Sequence, residues 1–217
     1  MKHLLLIAFV LLLASPLAAQ YRKMHAYELS CAADLIVQGK ISDQDPLNFV
    51  VEISKVHVGT YADKTISVPK FRNTKVAKRW GKYTVGEEVL LYLRNDNGHY
   101  HILGEGGEGE KLIVGAETCI DSRGEGLKNR FGYHQVSPTV NIYAEKVPTA
   151  EYLAAAAEIR NCYQLSYVER ETAEGQKAQF PVVVSKCDDK AKDALRSSSW
   201  VHDTMVEKAE TAIRGAQ

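Results

Sequence analysis

From Leu35 onward the chain alternates with a period of two. Leu35, Val37, Gly39 and Ile41 share one side of an extended backbone, and Gln38, Lys40 and Ser42 share the other. Such alternation is the signature of a half-buried strand. Gly39 inside the run predicts a bend or bulge, the feature that lets a long strand coil around a small barrel. Asp43 to Pro46 reads as a turn, and a second strand then places Phe49, Val51 and Ile53 inward. The apolar phase flips afterwards to Val56 and Val58, so an extra residue is expected near Ser54 and Lys55. A third strand passes through Ile66 and Val68. It ends at Pro69 or lies on an edge, because proline cannot donate to a ladder.

Glu87 to Leu93 is different, since Val89, Leu91 and Leu93 interleave with Leu90 and Tyr92. A strand apolar on both faces is covered on both. Asn97-Gly98 predicts a two-residue hairpin turn, after which Tyr100 and Ile102 continue the barrel. Leu112 to Ile120 reads as a further strand, and Phe131 to Tyr143 as one more. Beyond Pro148 the period becomes helical. Tyr152, Ala155, Ala156, Ile159 and Cys162 line one face of a helix from Ala150 to Tyr163, with Thr149 as its N-cap. Glu169 to Gln179 is polar and reads as an exposed loop. Ser185 and Asp188 have capping-box spacing before a helix lined by Cys187, Ala191, Ala194 and Leu195. After a break at Ser197 to Ser199, a last helix carries Val201, Met205, Ala209, Ala212 and Ile213 as its stripe. Ahead of the barrel, Gln20 to Ser30 reads as a short helix or extended arm carrying Met24, Tyr27 and Leu29.

The start of the chain changes the setting. Lys2 and His3 precede an unbroken apolar run from Leu4 to Leu13, and small residues lead to Ala19. That layout reads as a secretory signal peptide over residues 1–19, and the run is too short to cross a hydrocarbon core of about 30 Å. The expected arrangement is then an OB-like β-barrel domain over 20–146 and a helical C-terminal extension over 147–217. The protein is secreted or periplasmic on this reading, with no membrane span after cleavage. Basic and acidic side chains balance, 27 against 27, which argues against bulk attraction to nucleic acid or anionic membrane.

Export gives the four cysteines meaning. An even count in an oxidising compartment predicts disulfides, and the spacings are too wide for paired zinc ligands. Four cysteines allow three pairings. Cys162 and Cys187 lie on apolar faces of neighbouring helices, and Cys31 and Cys119 lie in the β part. The economical set is therefore Cys31–Cys119 with Cys162–Cys187.

Short twisted strands, two bulges and a covering helix describe an OB-like antiparallel barrel. The segment Cys31-Ala32-Ala33-Asp34-Leu35-Ile36-Val37-Gln38-Gly39-Lys40-Ile41 resembles the first strand of the netrin-like fold, as in tissue inhibitors of metalloproteinases. Phe49-Val50-Val51-Glu52-Ile53, ending at Val58-Gly59, is similar to that family's second strand, and the likeness extends to Ile120. The resemblance implies the fold and supports the Cys31–Cys119 bridge. Those inhibitors chelate their target's zinc through a cysteine at the mature N-terminus. Here the first cysteine comes eleven positions after Gln20, so the inhibitory wedge does not carry over.

Candidate chemistry is sparse. Gly104 to Gly109 matches a dinucleotide fingerprint by letter. Its glutamates would repel phosphate, and Lys111 to Val114 continues as a strand where a helix is needed. The segment reads as an inter-strand loop, with calcium on its glutamates as the alternative. His99 and His101 share a strand face and are the weak candidates for a metal pair. His202 reads as a helix-surface residue. The binding candidate is the basic connector Lys70 to Lys82, where Lys75, Lys78, Arg79 and Trp80 lie between Phe71 and Tyr83 and no acid intervenes. Cations among aromatics suit an anionic glycan or a protein partner, and export disfavours nucleic acid. The competing interpretation has Trp80 and Tyr83 plugging the barrel end under merely solvated lysines. No nucleophile elbow, Cys/His pair or helical zinc motif occurs, and no catalytic residue or cofactor is implied. The sequence thus points to a binding or interaction module, with a macromolecular protease inhibitor and a metal-dependent hydrolase as alternatives.

Overall fold

The alternating segments form strands in the expected order. The computed structural model describes residues 23–72, 79–104, 108–120, 134–137, 140–171 and 175–216. A short helix α1 (Ala26–Ala32) leads into β1 (Leu35–Gln44), β2 (Asn48–Val58), β3 (Thr65–Pro69), β4 (Glu88–Asp96) and β5 (His99–Ile102). Then come β6 (Glu110–Val114), β7 (Glu117–Ile120), β8 (His134–Ser137), β9 (Val140–Pro148) and helix α2 (Thr149–Cys162). The hairpin β10 (Tyr163–Glu171) and β11 (Lys177–Ser185) precedes helices α3 (Asp189–Ser198) and α4 (Trp200–Ala216). The fold is mainly β, antiparallel throughout, with helices concentrated toward the C-terminus. The large sheet runs β3-β2-β1-β4-β6-β7-β9-β8, and β5 pairs with the far half of β4.

Two apolar cores lie on opposite sides of β1 and β4. On one side Leu35, Val37, Phe49, Val51, Val68 and Leu91 pack together inside the curl of β1 to β5. On the other, Ile36, Leu90 and Tyr92 pack under α1, α2 and α4 through Tyr27, Tyr152, Ile159 and Met205. Each such side chain contributes about 1.5–3 kcal/mol on leaving water. This explains why β4 is apolar at consecutive positions. It also shows that the C-terminal helices are packed onto the sheet.

The curl depends on bulges. β1 and β2 slip register between Gln38 and Gly39, where Ser54 is the extra residue, and again at His57 and Ser42. The slip at Ser54 matches the phase change in the sequence. A Cβ on Gly39 would sit 2.3 Å from the Glu52 carbonyl oxygen, so only glycine lets the strands approach so closely here. Asn97 and Gly98 both take positive φ and turn β4 into β5, as their identities require. The curl brings β3 beside β5, with Tyr61 and Tyr100 meeting edge to face at 5.5 Å. No ladder joins β3 to β5 among the described residues, so the roll is open along this seam where the alternation had suggested a closed barrel.

Several local expectations change. Leu112 to Ile120 is a hairpin with Gly115 in positive φ at its turn, and the strand expected over Phe131 to Tyr143 is two, β8 and β9. The polar segment after Glu169 belongs to a ladder: Glu169 pairs with Gln179 and Glu171 with Lys177. Tyr163 and Val183 anchor that ribbon in the core, and the polar residues ride on it. Pro148 occupies the N-cap of α2, and the Thr149 hydroxyl bonds Thr118. Asp188 alone caps α3, accepting from the Ala191 amide, while the Ser185 hydroxyl donates to the Cys187 carbonyl.

Cys162 and Cys187 are bonded, tying the end of α2 to the approach to α3. A loop of this size is worth about 3 kcal/mol in the chain-entropy account. The expected Cys31–Cys119 bridge is absent, and both are free thiols. Cys31 lies within α1 with Sγ 3.5 Å from the Tyr163 carbonyl oxygen, whereas Cys119 sits in β7 against Leu112 and Trp80. The two sulfurs belong to different packing clusters. Burial pushes each thiol up to about 11.

Two predictions follow from this packing. Thiol titration should find two reactive groups per denatured chain and neither readily reactive in the native chain; no thiol after denaturation would mean that Cys31 and Cys119 are bridged. Gly39→Ala should lower unfolding free energy by about 1–3 kcal/mol in denaturant titration, with Gly86→Ala, where no neighbour lies within 4 Å of the added Cβ but φ is positive, as the strain-only comparison.

Candidate functional site

The basic connector returns to one end of the curl, where three turns are stitched together. Asp45 builds the β1–β2 turn, its carboxylate accepting from the amides of Leu47 and Asn48 at 2.6 Å each. These bonds hold its pKa below the usual carboxylate range. The Lys70 amide donates to the Leu47 carbonyl, and Lys70 Nζ donates to Gln44 Oε1 at 2.7 Å. Gln44 in turn donates to the Tyr83 carbonyl, and the Phe71 amide donates to the Tyr83 hydroxyl. The resulting open groove has a volume of about 720 Å³, and its cations are Lys70, Arg72 and Lys82 beside the buried Arg79. No acid lines it.

Arg79 has another task. It is 5% exposed, and its guanidinium lies over Tyr83 at 3.9 Å and Trp80 at 4.4 Å. Nε donates to the Glu110 carboxylate, Nη2 donates to Glu110 at 2.8 Å and Glu87 at 2.9 Å, and Nη1 donates to the carbonyls of Gly81 and Lys82. An arginine carries five N–H donors, and this set engages all of them. Burial works against the charge on Arg79, but the Glu110 carboxylate and its hydrogen bonds outweigh it and raise the pKa. Glu110 is wholly buried, and burial pushes its carboxyl above the usual range against the pull of Arg79. A buried arginine with both carboxylates satisfied is a structural clamp.

The aromatic faces are spent as well. Arg79 covers Tyr83 on the guanidinium side, Phe49 packs against it at 4.6 Å, and Trp80 lies on the Leu112–Cys119 cluster. Trp80 and Tyr83 therefore fill the end of the roll, and neither offers an open ring for a base or a sugar. What the groove presents to solvent is charge from Arg72, Lys82 and the half-buried Lys70, with Leu47 on its rim. Of the four binding residues expected from sequence, Arg79 and Trp80 are structural, and Lys75 and Lys78 lie outside the described residues. Lys70, Arg72 and Lys82 were visible in the same basic run. The acids that claim Arg79 were not, because Glu110 is thirty-one positions away in sequence.

The remaining candidates separate. His99 and His101 both stand exposed on β5, and among the described residues no third His, Cys, Asp or Glu completes a metal-ligand group with them. His202 is buried, against the surface position expected. Its Nδ1 lies 2.8 Å from the Ser199 hydroxyl at the start of α4, and its Nε2 lies 3.3 Å from Glu158 on α2. A serine capping its own helix three residues before the histidine accounts for this row without catalysis. Of the three glutamates of the glycine-rich segment considered for calcium, Glu105 lies outside the described residues, Glu108 accepts from the Met24 amide and Glu110 binds Arg79.

Because the clamp is buried, removing one side should strand the other. Arg79→Ala should cost about 3–5 kcal/mol of unfolding free energy, and the paired change Arg79→Met with Glu110→Leu should recover most of it in the same denaturant titration. A loss below about 1 kcal/mol for Arg79→Ala would mean that the pair is not buried in solution. Comparison with known proteins adds no name to the site: no family model, characterised protein or solved structure gives a significant match to the chain.

Proposed function

We propose that this chain is an extracytoplasmic interaction module whose basic end captures an anionic partner by charge. One observation carries the reading: Lys70, Arg72 and Lys82 line an open groove with no acid among its described lining residues, while the neighbouring acids Glu87 and Glu110 are turned to Arg79. With Glu87 and Glu110 held by Arg79 and Asp45 held by the amides of its own turn, the charged side chains lining the groove are cations although the whole chain is neutral. The occupied faces of Trp80 and Tyr83 argue for electrostatic capture over stacking, which disfavours nucleic acid and leaves acidic glycans, acidic proteins and anionic surfaces. The secretory leader read from residues 1–19 and the netrin-like resemblance of residues 31–120 support an extracytoplasmic setting for such a module. Protease inhibition by the netrin-like wedge is not favoured, because Cys31 lies inside α1 with its thiol turned to the Tyr163 carbonyl.

The double variant Arg72→Ala/Lys82→Ala, which leaves the Lys70–Gln44 hydrogen bond in place, should bind immobilised heparin and poly-glutamate about tenfold or more weakly, at unchanged thermal stability. Wild-type binding should weaken steeply with added salt, since exposed charges are screened over about 10 Å at 0.1 M. Equal retention of variant and wild type would remove the groove as the site.

A further inference from the structure

The two most exposed large apolar side chains among the described residues are Leu47, at 62%, and Val85, at 55%. Both stand on turns at the basic end. Leu47 tips the turn that Asp45 holds, and Val85 tips a turn closed by the Glu87 amide donating to the Thr84 carbonyl. The end of β1 joins the two: the Gly86 amide donates to the Ile41 carbonyl, and Gln44 donates to the Tyr83 carbonyl. Leu47 lines the groove with Lys70, Arg72 and Lys82, and Val85 follows the lining residue Tyr83 by two positions. Single exposed aliphatic residues are ordinary on protein surfaces. Two of them on hydrogen-bonded turns at the end that carries a cation-lined groove form an amphipathic end, with apolar points set near positive charges.

The charges facing this end favour an anionic plane. Asp43 and Asp45 are the exposed acids of the β1–β2 turn, and Asp45 already accepts from two backbone amides. Glu87 is engaged by Arg79. A soluble acidic polymer would use only the cations. A lipid surface uses both features at once, because headgroups meet the cations while aliphatic tips enter the boundary with the acyl chains. Weak signals of these two kinds acting together give reversible surface attachment.

We propose that this end docks on an anionic lipid surface, with Leu47 and Val85 entering the interface and Lys70, Arg72 and Lys82 pairing with headgroup phosphates. The inference rests on the basic end being the anion-binding site, and it names the source of the anion. The full chain is sedimented with vesicles of phosphatidylglycerol and phosphatidylcholine, with vesicles of phosphatidylcholine alone, and separately bound to heparin. The expected result is partition onto the anionic vesicles only, reduced about tenfold or more by Leu47→Ser/Val85→Ser with heparin binding unchanged. That variant keeps every charge, and both positions are exposed, so its melting temperature serves as the folding control. A Leu47→Trp variant provides a second measurement, a blue shift of added emission on anionic vesicles. Vesicle binding that ignores the serine variant, or heparin binding without vesicle binding, overturns the membrane inference and leaves charge capture standing. Failure to bind either probe removes both.

Discussion

Burial of both faces of β1 and β4 is the constraint from which the rest of this architecture follows. A strand apolar on consecutive positions cannot sit at the surface of a one-sided roll. The inner face is covered by curling β1 to β5 around Leu35, Phe49 and Leu91, and that curl needs the bulges and the close approach at Gly39. The outer face carries Ile36, Leu90 and Tyr92, and the helices after Pro148 exist in this place to cover them. The C-terminal segment is thus a second layer of one assembly. Glu210 strengthens that layer, accepting from the Tyr163 hydroxyl and pairing with Lys192, which joins α4 to the ribbon and to α3.

The same economy explains the basic end. Closing the mouth of the roll requires large side chains, and Trp80 and Tyr83 supply them with Arg79 sandwiched between. A guanidinium tolerates burial only where its donors are met, and Glu110 with Glu87 meets them. The internal pairing has an external consequence. It turns two acids toward Arg79, so that the charged side chains lining the groove are cations among the described residues.

The strand succession was legible because period-two alternation reports which face leaves water, and that cause is local. The bulge at Ser54 was legible from the flip between Ile53 and Val56, and the Asn97-Gly98 turn from the positive φ that these residues accept. The ribbon of β10 and β11 was obscured because its outer half is polar on both strands, and pairing partners such as Glu169 and Gln179 carry no apolar signal. His202 was misjudged for a related reason: a helix stripe shows which positions are apolar, not which polar residue lies at a helix–helix contact with Glu158.

By itself the sequence determined the antiparallel β-rich class, the positions of the main strands and helices and the location of the basic run, and it proposed the Cys162–Cys187 bond as one half of the economical pairing. The elements and the basic run depend on residue periodicity and on neighbours a few positions apart, and the bond, 25 positions across, on two cysteines near the ends of successive helical segments. Only the tertiary structure decided that Cys31 and Cys119 stay apart, that the roll is open between β3 and β5, and that Arg79 is a clamp rather than a hand held out to a ligand. Each of these turns on a partner distant along the chain, and a charged side chain reads the same in sequence whether an acid thirty-one positions away has claimed it or water has.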